Sequence, residues 1–141
     1  MKIEIERRNS KFHFQAVNES GNTVDIDANP SIGGEGKGVR PMELLLAGLG
    51  SCSGIDIISI LNKQKINPEK FSISVDGERE AGVVPSLFKI IRVTFSFEGE
   101  VDAAKAKRAV ELSMDKYCSV SKTLEPTAQI EYAIIVNGQR V

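Results

Sequence analysis

The stretch from Pro41 to about Gln64 limits what this chain can fold into more than any other. Between Leu44 and Ile60 it is apolar on nearly every side of a helix. A helix of that kind has to be a central, buried one. Pro41 suits a first helical turn, where its missing N–H costs nothing, and Glu43 lies near the positive end of the helix dipole. The segment turns polar after Leu61. Ala47, Gly48, Gly50, Ser51, Ser53 and Gly54 leave little side-chain bulk. Glycine costs roughly 1 kcal/mol in a helix interior. Three of them therefore predict that another backbone comes close. The longest uncharged run, Leu44 to Ile55, is too short to span a bilayer.

Around this helix the chain alternates strands and turns. Lys2 to Arg7 alternates apolar and charged residues, as a half-buried strand does. Asn9-Ser10 marks a turn, Phe12, Phe14 and Ala16 alternate again, and Gly21-Asn22 precedes Thr23 to Asp27. That pattern predicts an N-terminal three-stranded meander. Asn29 to Gly38, with Pro30 and four glycines, reads as a loop. No strand leads directly into a Walker or dinucleotide pattern there, so nucleotide binding is rejected. After Asn67-Pro68 come two strands, Lys70 to Glu80 and Leu87 to Glu98, as a hairpin. Asp102 caps a second helix, Ala103 to about Tyr117. A short helix over Ser119 to Leu124 and a strand over Ala128 to Val136 complete the chain. The expected architecture is α+β in a single domain, 1–141.

The 141 residues are 41% hydrophobic and 26% charged, with a formal net charge of −1. That is the profile of a globular protein with a sizeable core. With no basic block, neither nucleic acid nor an anionic membrane is an expected partner. The N-terminus lacks the apolar segment of a cleavable signal, and the expected location is cytoplasmic. In a reducing compartment a disulfide is transient and catalytic rather than structural.

That matters because the chain has two cysteines, Cys52 inside the apolar helix and Cys118, 66 residues later, at the end of the second helix. Brought together, they would make a redox pair, one thiol attacking and the other resolving the product as a disulfide. Kept apart, they are two small buried hydrophobes. One histidine, His13, and no close cysteine pair leave no metal-ligand pattern.

Two segments carry a resemblance. Arg40-Pro41-Met42-Glu43-Leu44-Leu45-Leu46-Ala47-Gly48-Leu49-Gly50-Ser51-Cys52 and Cys118-Ser119-Val120-Ser121-Lys122-Thr123-Leu124, together with the three-stranded start and the glycine-rich loop, resemble the osmotically inducible protein C and organic hydroperoxide resistance (OsmC/Ohr) superfamily. The resemblance covers nearly the whole chain. It implies an intertwined homodimer with the central helices packed together. It also implies thiol peroxidase chemistry on organic hydroperoxides, with Cys52 attacking the peroxide and Cys118 resolving it. No bound cofactor is implied, only an external dithiol reductant. The alternative is a dimeric binding or stress-response protein that keeps the fold and the cysteines but reduces no peroxide.

A nucleophilic cysteine must be a thiolate, and its unperturbed pKa is about 8.5. Mid-helix, Cys52 gains little from a helix N-terminus and needs a cation, for which arginine is best suited. In better-known family members an arginine and a glutamate assist the attacking cysteine, and the glutamate directly follows the proline that opens the helix. Met42 stands at that position here, and Glu43 comes one later. At roughly 100° per residue, Glu43 falls opposite Cys52 on a straight helix. Asp56, one turn beyond Cys52, shares its face and could orient an arginine in the glutamate's stead. Arg40 is the favoured arginine, with Arg7 and Arg8 at the first hairpin as the others. The neighbourhood of Cys118 predicts that the N-terminus of the next helix favours its thiolate.

Overall fold

A computed structural model describes all of residues 1–141. Two units account for the chain, Met1–Leu45 and Leu46–Val141.

In the first unit, β1 (Ile3–Arg7), β2 (Phe14–Asn18) and β3 (Thr23–Ile26) form an antiparallel sheet in the order β1-β2-β3. This is the expected meander. The glycine-rich segment after β3 is not loose chain. Asp27 is buried, and its carboxylate accepts the backbone N–H groups of Ala28 at 2.8 Å, Glu35 at 3.0 Å and Lys37 at 3.1 Å. Those bonds, that from Lys37 foremost, hold its pKa below the usual carboxylate value. Gly38 lets the loop's return leg lie against β3, since a Cβ there would meet the Asp25 carbonyl carbon at 2.3 Å.

The long helix, α1 (Pro41–Lys63), runs from the first unit into the second. Glu43 reaches back to accept the Arg40 N–H at 2.8 Å, the carboxylate half of a capping box. Beyond α1, β4 (Lys70–Arg79) and β5 (Phe88–Glu98) pair antiparallel. Next come α2 (Ala103–Leu112), a π-helical turn over Ser113–Tyr117, and α3 (Ser119–Leu124). They form the crossover that a parallel pair requires. β6 (Gln129–Val136) returns parallel to β5, and a short β7 (Gln139–Arg140) closes the sheet in the order β4-β5-β6-β7. Sequence reading missed β7 and took the π turn for ordinary helix.

The core of the second unit lies where α1 and α2 cover this sheet. Ile91, Val93, Phe95 and Phe97 alternate along β5 and are buried, with Leu49, Ile57 and Leu61 of α1 and Val110 of α2. Phe71 and Phe97 stack with ring centroids 4.6 Å apart. The small residues of α1 have a defined use. A Cβ on Gly50 would lie 3.0 Å from Val75 Cγ2, and one on Gly54 would lie 2.7 Å from Ile73 Cδ1. Close approach was expected, but it is to the side chains of β4 rather than to another backbone. Only one stripe of α1 is buried in the chain, at Leu49, Gly50, Ser53, Gly54, Ile57 and Leu61. A helix apolar all round is therefore covered by this chain on only part of its surface. Ile55, on another side, is 72% exposed.

Candidate functional site

The crossover brings the two cysteines together. Cys118 lies near enough to Cys52 for the Cys52 side chain to raise its pKa, and both are free thiols. Cys52 is half-buried on α1, while Cys118 is fully buried. A pair 66 residues apart in sequence is thus brought into one neighbourhood.

Cys118 sits at the joint between the π turn and α3. It is the N-cap of α3, and its Sγ accepts the Ser121 N–H at 3.4 Å. The helix start expected from the sequence is there, but its effect is outweighed. Burial, with a smaller contribution from the Cys52 side chain, pushes the Cys118 thiol up to about 11, against the opposing pull of the Ser121 N–H. At neutral pH Cys118 holds its proton. The expectation of a favoured thiolate there is corrected, because the Ser121 and Val120 amides do not repay the loss of water around a fully buried sulfur.

Asp56 lies one helical turn beyond Cys52, as anticipated. Its Oδ2 is 3.3 Å from the hydroxyl of Ser113, the first residue of the π turn. The same hydroxyl is 3.3 Å from the carbonyl oxygen of Ser53. Ser113 did not stand out in the sequence. Its only signal was a small polar residue one turn before a cysteine, on a helix whose inner face is otherwise alanine and valine.

The three candidate arginines, Arg40, Arg7 and Arg8, all have partners inside the first unit. Arg40 Nε donates to Glu43 Oε1 at 2.8 Å, and Arg40 Nη2 bonds the same oxygen. Glu43 in consequence titrates below an ordinary glutamate, chiefly through the Arg40 side chain, and Arg40 above an ordinary arginine. Arg7 Nε donates to the Lys11 carbonyl at 2.8 Å, and Arg7 also bonds the Ser10 carbonyl. Arg8 pairs with Glu6 at 2.7 Å. His13 meets Asp25 at 2.8 Å.

Next to Cys52 along α1, an open groove of about 860 Å³ is lined by Ser51, Gly54, Ile55, Ile58, Phe71 and Ile73, among others. Its walls are mostly apolar. By length and composition α1 could cross a membrane, but its buried stripe is packed on a sheet.

Residues 34–133 match the family described as OsmC-like protein. Protein YhfA of Escherichia coli is 34% identical over 121 residues, covering 85% of this chain and 87% of its own. The crystal structure of a hypothetical protein from Aquifex aeolicus superposes with a TM-score of 0.82 at 30% identity, covering 96% of this chain and 94% of that one. An organic hydroperoxide resistance protein OsmC from Legionella pneumophila shares the fold with a TM-score of 0.68 at 20% identity, covering 96% and 98%. The α+β arrangement of a three-stranded sheet, a long helix and a second, four-stranded sheet is that of these structures.

Proposed function

We propose that this chain, which belongs to the OsmC-like protein family, is a thiol-dependent peroxidase that reduces organic hydroperoxides through Cys52 and Cys118. The observation that carries the reading is the meeting of the two free thiols, one half-buried and one fully buried. The Cys52 thiolate attacks the distal peroxide oxygen. The O–O bond breaks, the alcohol leaves with a proton, and Cys52 becomes a sulfenic acid. The Cys118 sulfur then attacks the Cys52 sulfur. The hydroxyl departs as water, taking the Cys118 proton, and a disulfide forms. An external dithiol reduces that disulfide by exchange.

The chain's own residues divide the work. Half-buried Cys52 is the thiol a peroxide can reach, and Cys118, shielded from solvent, reacts only with its neighbour. The supporting cation is assigned to Arg40, with Glu43 holding its fork. The apolar face beside Cys52 favours a substrate with a hydrocarbon group, at roughly 0.8 kcal/mol per buried methylene. Organic hydroperoxides are therefore preferred to hydrogen peroxide. The working unit is a homodimer closed over the apolar side of α1, and the protein acts in the cytoplasm.

The test is direct. Reduced protein is mixed with cumene hydroperoxide, consumption is monitored, and the product is digested and mapped. Expected are a peptide linking residues 52 and 118, a single stoichiometric reaction in Cys118→Ser, and no consumption by Cys52→Ser. A binding protein that merely keeps the fold would consume nothing, and both thiols would stay free.

A further inference from the structure

The turn that delivers Cys118 is built around one buried residue. Ser113 is fully buried where α2 ends. Its carbonyl accepts the Cys118 N–H at 2.8 Å, the five-residue bond that makes this a π turn. Its hydroxyl points the other way, to α1, at 3.3 Å from both the Ser53 carbonyl and Asp56 Oδ2. Ser53 is the residue after Cys52. One side chain and one carbonyl thus connect the backbone of the second cysteine to the helix of the first.

The energetics point the same way. The Ser53 carbonyl faces along a helix and needs no extra donor, and the partly exposed Asp56 carboxylate can turn to water. The Ser113 hydroxyl is different: it is buried, and α1 supplies its only partners. The π turn also holds one more residue than an α turn, which rotates the downstream chain by roughly 100° around the axis. Had α2 continued regularly, Cys118 would point elsewhere. A disulfide tolerates little misplacement, since Cα atoms must come within about 4.4–6.8 Å and departures make the bond easier to reduce.

We propose that Ser113, seated on Asp56, is a positioning residue that sets the approach of Cys118 to Cys52 and so governs how fast and how stably their disulfide closes. The inference rests on the reading of Cys52 and Cys118 as a redox pair. The step it governs is the second one, in which Cys118–SH and Cys52–SOH become a disulfide and water. Ser113 itself takes no part in the attack of Cys52 on peroxide.

The experiment separates the two steps. Sulfenic acid at Cys52 is trapped with dimedone during peroxide treatment, disulfide closure is monitored by mass, and the disulfide is equilibrated against glutathione buffers. Ser113→Ala should close about tenfold more slowly, with more dimedone adduct, and its disulfide should be about tenfold easier to reduce, which is about 30 mV for a two-electron couple. Asp56→Ala should act in the same direction. The double variant should be no worse than the more affected single one, because both remove the same connection. Asp56 is partly exposed, so its variant carries the test if Ser113→Ala does not fold. Wild-type closure rate and potential in these variants would overturn the inference. A wild type that forms the disulfide while the variants do not differ refutes this proposal alone, and a wild type that forms none refutes the redox-pair reading with it.

Discussion

Cys118 is packed against Cys52, and that contact adds to burial in pushing its thiol from 9.0 up to about 11. The thiolate is the attacking form, so resolution waits on a proton that Cys118 holds tightly. Between pH 7 and 10 the rate of disulfide closure should therefore climb about tenfold per unit, measured by stopped-flow on protein already oxidised to the sulfenic acid. A closure rate flat across that range would contradict the assignment of Cys118 as a buried, protonated resolver.

The same thiol predicts a stability change with a definite sign. The folded state keeps the Cys118 proton to about 11, whereas the unfolded chain releases it near 9.0. The native state binds more protons in that window, so stability is complete below about pH 9 and falls as pH rises toward 11. The loss is on the order of 3 kcal/mol, at 1.36 kcal/mol per unit. Other groups titrate there too, so the comparison is with Cys118→Ala. Urea midpoints of the reduced wild type and the variant should converge as pH rises from 9 to 11. Parallel lines would show that Cys118 titrates alike in both states.

Much of this site was legible before the fold was seen, and for physical reasons. The strands declared themselves by alternation, and α1 by its apolar length between Pro41 and Lys63. Cys52 and Cys118 stood out because two matching neighbourhoods at that separation are specific. The features that escaped depended on tertiary placement. Ser-Met-Asp-Lys-Tyr has no composition that distinguishes a π turn from another turn of α-helix, so nothing singled out Ser113. Asp27 gives no sign in sequence that three loop amides converge on it. The direction of the Cys118 shift turned on burial, which the N-terminus of α3 argued against. Glu43 was doubted on helix geometry, and its observed bonds are to Arg40.

That bonding bears on the second assignment. Glu43 engages both the backbone N–H and the guanidinium of Arg40. If Arg40 is the cation that sustains the Cys52 thiolate, Arg40→Ala should move iodoacetamide alkylation of Cys52 to higher pH and slow peroxide reduction by tenfold or more. Glu43→Gln should weaken the effect less, since the amide still accepts one bond. Arg7→Ala and Arg8→Ala should alter the alkylation curve little, because Arg7 is tied to the Lys11 and Ser10 carbonyls and Arg8 to Glu6. An unchanged curve in Arg40→Ala would transfer the role to one of those two.

The proposed homodimer would close over the uncovered side of α1. The helix buries one stripe within its own chain, while Ile55 is 72% exposed beside a largely apolar groove. Contiguous exposed apolar surface marks interaction sites, and in the proposed dimer a second copy of the same helix would be a self-complementary partner. On an isolated chain, Ile55→Asp would be a surface change worth no more than about 0.5 kcal/mol. In a dimer closed through α1 it places an unpaired charge in the interface, at a cost of several kcal/mol. The melting temperature of the wild type should therefore rise with protein concentration, as it does when folding and association are linked. Ile55→Asp should sediment as a smaller, less stable species. A wild type that stays monomeric at low micromolar concentration, with a melting temperature unchanged over a hundredfold dilution and matched by Ile55→Asp, would show that the apolar side of α1 stands uncovered in solution.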